Sequence, residues 1–221
     1  MFVRRLSHWT SLYNRTGNTV ISCRRYWPVV FGLFLLAGNI AEGGSKSRTV
    51  TVPVVAVFHQ GSSSQGAVLP AVFVQVERRD DREPLRVVLQ HRPGMVEPNY
   101  PERLEAALRN GLPRLNYDPR GLTVKIGFGG PFLFTGGSLS AAVVIGAVAA
   151  LEGRSLSPNL VLTGTVEADG SIGPIADLEL KIAGAGSYTV LYPSSQASSA
   201  TQQLASRPVG SLQEARTLML Q

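Results

Sequence analysis

Residues 134–153 read FTGGSLSAAVVIGAVAALEG. From Ser138 onward the run is apolar nearly all round, and its first charge is Glu152. A helix of that composition offers water no polar face. The sequence therefore predicts a helix over 138–153, buried on most sides and ended by Gly153. Gly136 and Gly137 precede it, and Ser138 opens it. By residue type Ser138 suits an N-cap. It also suits nucleophilic attack, because the free amides and dipole at a helix start can stabilise an oxyanion. The two glycines would leave room for a substrate backbone. Nothing local separates these readings.

The flanking segments supply strands to bury such a helix. TVTVPVVAVF (49–58), AVLPAVFVQV (67–76), LRVVLQH (85–91), LTVKIGF (122–128) and YTVLYP (188–193) are rich in β-branched residues. GSSSQG (61–66) reads as the turn between the first two. PERLEAALRNGL (101–112) reads as a helix with Leu104, Ala107 and Leu112 on one stripe and Asn110-Gly111 as its stop. NLVLTGTVEADGSIGPI (159–175) reads as two short strands about the hairpin dipeptide Asp169-Gly170. ADLELKIAGAG (176–186) reads as a helix with Asp177 near its start and Gly186 at its end, and SLQEARTLML (211–220) as an amphipathic C-terminal helix. There is no internal repeat. Strands first, then strands mixed with helices, predict one α/β or α+β domain over 49–221.

The net charge of +6 suggests nucleic acid until it is located. Arg4, Arg5, Arg15, Arg24 and Arg25 lie in residues 1–41, which hold no acid. Removing those five from 21 basic residues leaves 16 against 15 acids, a net +1 for the remainder. No nucleic-acid partner is expected of so balanced a domain. Arg78 to Glu83 alternates in sign and reads as a solvated turn. After Arg24-Arg25 comes WPVVFGLFLLAGNIA (27–41), an uncharged apolar run. Its length fits the apolar core of an export signal, and an uncleaved signal anchor is the alternative. Either would put a membrane at the N-terminus and the remainder on the extracytoplasmic side. Residues 42–48, EGGSKSR, read as a flexible linker. The single cysteine, Cys23, lies in the leader, so neither an internal disulfide nor a cysteine metal site is expected. No His/Asp/Glu cluster has metal spacing, and there is no phosphate loop. No cofactor is expected.

Lysine is scarce: Lys46 in the linker, Lys125 facing outward on a strand, and Lys181. Lys181 sits among Leu178, Leu180, Ile182 and Ala185. Apolar shielding would lower its pKa and let the neutral amine act as a base. A serine hydroxyl needs such a base before it can attack. His59 and His91 read as strand-end surface residues, and Ser140 is the rival nucleophile nearest to Ser138.

Ser138 and Lys181 stand 43 residues apart. The ungapped stretch between them, with Gly153, Thr163, Gly164, Gly170, Pro174, Ile175 and Leu178 in register, resembles the proteolytic domain of Lon proteases. The resemblance is clear over about 121–193 and extends over 67–221. It implies a two-layer α/β fold and a Ser-Lys dyad, with Ser138 as nucleophile and Lys181 as general base. Thr163 is implied to position the lysine amine, with Gly137 and Thr135 as supporting residues of the nucleophile loop. The implied substrate is polypeptide, cut without ATP because the family's ATPase module is absent, and homo-oligomeric rings are implied by family habit. The chain departs from the family around the nucleophile. Lon sequences typically read Asp-Gly-Pro-Ser-Ala-Gly where this chain reads Thr135-Gly136-Gly137-Ser138-Leu139-Ser140. Asp177, four residues before Lys181, would raise its pKa if the two paired. The competing expectation is therefore an inactive Lon-fold domain that binds a peptide or protein.

Overall fold

Alternating valines build the longest hairpin. A computed structural model describes residues 47–221, apart from 61, 93, 95, 131–132 and 199–204. In it β1 (Arg48–Gln60) and β2 (Ser63–Arg78) pair antiparallel. Val50, Val52 and Val54 of β1 and Val72, Val74 and Val76 of β2 are buried in one core. The register shifts between Val52 and Val54. Past that bulge, Val55 belongs to a second cluster, with Val68 packed against it. Because strand side chains alternate faces, a bulge lets one hairpin line two cores.

β3 (Arg86–Gln90) and β4 (Leu122–Phe128) complete a four-stranded sheet in the order β1-β2-β4-β3, with β3 and β4 parallel. Helices α1 (Tyr100–Arg114) and α2 (Ser140–Glu152) belong to the core of this sheet. Every residue of α2 from Ser140 to Ala150 is buried, as its composition requires, and Gly153 closes it in the left-handed conformation at φ 68°. β5 (Leu160–Leu162), β8 (Thr189–Pro193) and β9 (Ser206–Val209) form a parallel sheet in the order β5-β8-β9. β6 (Thr165–Val166) and β7 (Ile172–Gly173) form a small hairpin around Asp169-Gly170. Helix α3 (Leu178–Ala183) packs in the second cluster, and α4 (Leu212–Met219) packs in the first. Ser211 caps α4 by accepting from the Glu214 amide, while Glu214 accepts from the Gly210 amide. The fold is mixed α/β of the α+β kind, with four α-helices among the described residues.

The structure corrects several boundaries. Asn110-Gly111 does not stop α1, which runs on to Arg114. A Cβ at Gly111 would stand 2.8 Å from Val144 Cγ1 and 2.9 Å from Leu212 Cδ1, so this glycine serves the close packing of three helices. Residues 61–66 are not all turn: β2 begins at Ser63, and Gly66 pairs with Val57. Helix α2 begins at Ser140, two residues later than the composition suggests. Helix α3 is shorter than 176–186, and its C-cap is Gly184 rather than Gly186. The 159–175 stretch breaks at Thr163-Gly164, so its first half joins β8 and its second half makes the hairpin. In the sign-alternating turn, Arg79 folds inward and donates to the carbonyls of Glu83, Pro84 and Leu122. The apolar run at 27–41 and the linker up to residue 46 lie outside the described residues. Among the described residues, no helix is long and apolar enough to cross a membrane.

Candidate active site

The break after β5 positions Ser138. The Thr163 amide still donates to the Leu191 carbonyl of β8, at 2.9 Å, and at Gly164 the chain leaves that strand and closes on the turn before α2. The Gly164 amide donates to the Ser138 carbonyl at 2.7 Å, and the Ala141 amide donates to the Gly164 carbonyl at 3.1 Å. Thr163 is buried, and its Oγ1 donates to the same Ser138 carbonyl at 3.2 Å. Two donors therefore turn the Ser138 carbonyl toward residues 163–164. Ser138 itself is half-buried, and the N–H groups of Ser138 and Leu139 have no acceptor among the described residues. Such free amides beside a hydroxyl are the donor arrangement an oxyanion needs.

The loop is held from its other side by a residue the sequence did not mark. Glu97 Oε2 accepts from the Gly136 amide at 3.3 Å, and the Glu97 amide donates to the Phe134 carbonyl at 3.3 Å. Arg103 donates to the same carboxylate. Gly136 has φ 70°, a conformation that disfavours any other residue type. Thr135 is exposed and Gly137 half-buried. Ser140 is only 4% exposed, so a reagent from solvent reaches Ser138 before it.

Lys181 is brought in from the second core. Leu178 and Ile182, on either side of it along α3, bury against Val55, Val161, Val190 and Tyr192. The backbones of α3 and of its cap, Gly184, cross β2 closely at Gly66. A Cβ on Gly66 would overlap the Leu180 carbonyl and stand 3.2 Å from Lys181 Cα, and a Cβ on Gly184 would overlap Gly66. Lys181 is 6% exposed. Among the described residues it makes no ion pair, with Asp177 or any other acid. Asp177 instead takes a left-handed backbone at φ 55° and accepts the Lys181 amide through its carbonyl. Burial pulls the ammonium pKa down from 10.5 to about 8, against the opposing charge of Asp177. A lysine in that state gives up its proton near pH 8 rather than above 10, so a fraction of it can serve as a base at neutral pH.

Ser138, Thr163 and Gly164 are thus in direct contact through backbone and hydroxyl. Lys181 is a buried, unpaired amine on a separate element. No hydrogen bond joins it to Ser138 or to Thr163 among the described residues, and the Thr163 hydroxyl proton is used on the Ser138 carbonyl. Lys125 pairs with Glu77 at 2.6 Å on the outer face of the sheet. His59 and His91 are exposed and bond to Ser64 and to the Arg92 carbonyl. The described residues hold no group of three or more metal-ligating side chains. Glu97 escaped the sequence reading because it lies in a loop 41 residues before Ser138 with no motif around it. No protein-family model matches the chain, and no curated protein matches it.

Proposed function

We propose that this chain is a stand-alone, ATP-independent serine peptidase with the two-layer fold of the Lon proteolytic domain. It cleaves unfolded or flexible polypeptide with Ser138 as nucleophile and Lys181 as general base. The same reading tethers or exports it through residues 27–41, on the extracytoplasmic side of a membrane, and allows assembly with copies of itself. The observation that carries the proposal is a buried lysine with no acid partner, its pKa lowered to about 8, in the same register from Ser138 as in Lon sequences. Ser138 Oγ attacks the peptide carbonyl and gives its proton to Lys181 Nζ. The Ser138 and Leu139 amides support the oxyanion. Lys181 returns the proton to the leaving amine, and water then releases the acyl group by the reverse proton path. Thr163 acts as a positioning residue by fixing the Ser138 carbonyl.

The missing Ser138–Lys181 hydrogen bond favours the second reading, an inactive domain that holds peptides in the same place. Loose dyad geometry is common without substrate, so the test must be chemical. Labelling by a fluorophosphonate serine probe, with casein digestion alongside, is compared among wild type, Ser138→Ala and Lys181→Ala. The peptidase requires labelling of wild type alone. Equal labelling in all three, or none in any, leaves the binding domain.

A further inference from the structure

The hairpin of β6 and β7 forms a wall beside the nucleophile loop. A Cβ on Gly137 would stand 3.2 Å from Thr165 Cγ2, so the two segments are in contact. Thr165 Oγ1 donates to Glu167 Oε1 at 3.0 Å. On the facing strand, Thr165 pairs with Gly173, and a Cβ at Gly173 would overlap the Glu167 carboxylate. The absence of a side chain at Gly173 thus lets the carboxylate fold back over the hairpin, where Glu167 remains exposed to solvent. The threonine hydroxyl fixes it there. Adding these contacts to the width of a threonine side chain puts the carboxylate within about 9 Å of the Gly137 position. A lysine or arginine side chain extends roughly 6 Å from its own Cα, so a residue beside the bond presented to Ser138 reaches it.

Glu167 has no cation within ion-pair distance among the described residues. Arg114 reaches the same hairpin but donates to the Ala168 carbonyl at 3.0 Å. The anion is therefore held by Thr165 and left without a counter-ion among the described residues, beside the loop that carries Ser138. We propose that Glu167 is a specificity determinant of this site, and that the site takes polypeptide segments carrying lysine or arginine next to the position held over Ser138. This rests on the reading above that the site holds polypeptide, whether or not the serine reacts.

The test separates the two. Short fluorescein-labelled peptides of small and apolar residues, with Lys, Gln or Glu placed in turn at each central position, are titrated by anisotropy against the full chain carrying Ser138→Ala. One position is expected to favour Lys over Gln by roughly three- to tenfold, and over Glu by more. Glu167→Gln should abolish that preference while leaving Gln-peptide affinity unchanged, and Glu167→Lys should reverse it. Binding without any charge preference, a preference that survives in Glu167→Gln, or no binding of any peptide would each overturn the assignment. Binding with the preference but no serine labelling in the wild type would retain Glu167 and discard the peptidase.

Discussion

Replacing Lys181 by methionine should stabilise this protein, and by an amount that depends on pH. The native ammonium must give up its hydration to be buried, and that cost is expressed in the fall of its pKa from 10.5 to about 8. At about 1.4 kcal/mol per pKa unit, the penalty is on the order of 3 kcal/mol. Below pH 8 both folded and unfolded chains carry the proton, so the penalty is fully present. Between pH 8 and 10.5 the folded chain has lost its proton and the unfolded chain keeps it. The unfolded state then binds more protons, so wild-type stability rises with pH across that window and the penalty disappears above it. Methionine fills nearly the same volume and carries no charge. Urea titrations of wild type and Lys181→Met at pH 7 and pH 10 measure the difference. The variant should be more stable by about 3 kcal/mol at pH 7, or roughly 6 to 12 °C in Tm for a domain of this size. The gap should largely close at pH 10. A variant no more stable than wild type at pH 7, or a gap that does not change with pH, would refute the claim that Lys181 is buried at a desolvation cost.

Two further substitutions probe the framework. Gly111→Ala places a methyl group 2.8 Å from Val144 Cγ1 and should destabilise by about 1 to 3 kcal/mol in urea, where an alanine at an ordinary helix site would stabilise. Thr163→Val removes the hydroxyl that donates to the Ser138 carbonyl and should cost about 1 kcal/mol in the same assay. It should also slow probe labelling of Ser138 by more than a global loss of that size explains, because labelling is read far below the unfolding midpoint.

Much of the fold is legible where a residue's local chemistry and its structural role coincide. Gly153 ends α2 because a left-handed cap needs a glycine, and Asp169-Gly170 marks a hairpin for a similar reason. The same rule misreads Gly111, whose role is set by Val144 and Leu212, distant in sequence. Residues 63–66 look like turn because they are small and polar, yet they are strand because β1 is long enough to pair with them. β9, SRPV, has no alternation and contains Pro208; as the edge of a three-stranded sheet it tolerates both. At the site, the burial of Lys181 follows from its apolar neighbours. The grip of Glu97 on Gly136 and of Thr163 on the Ser138 carbonyl does not, since both depend on tertiary contacts that leave no spacing in the chain.

The helix that carries Lys181 is six residues long. Isolated helices need about 12 to 15 residues to persist in water, so α3 is a helix only while docked on Gly66 and the second core. Undocking returns the amine to water and restores its proton. Between pH 8 and 10.5 local opening and loss of the base are then one event, and opening becomes easier as pH falls through that window. The amides of Lys181 and Gly184, bonded to the carbonyls of Asp177 and Leu180, report that event directly through hydrogen exchange. A lowered lysine pKa in this protein is thus a property of a docking equilibrium, and whatever loosens the crossing at Gly66 disarms the amine without touching it.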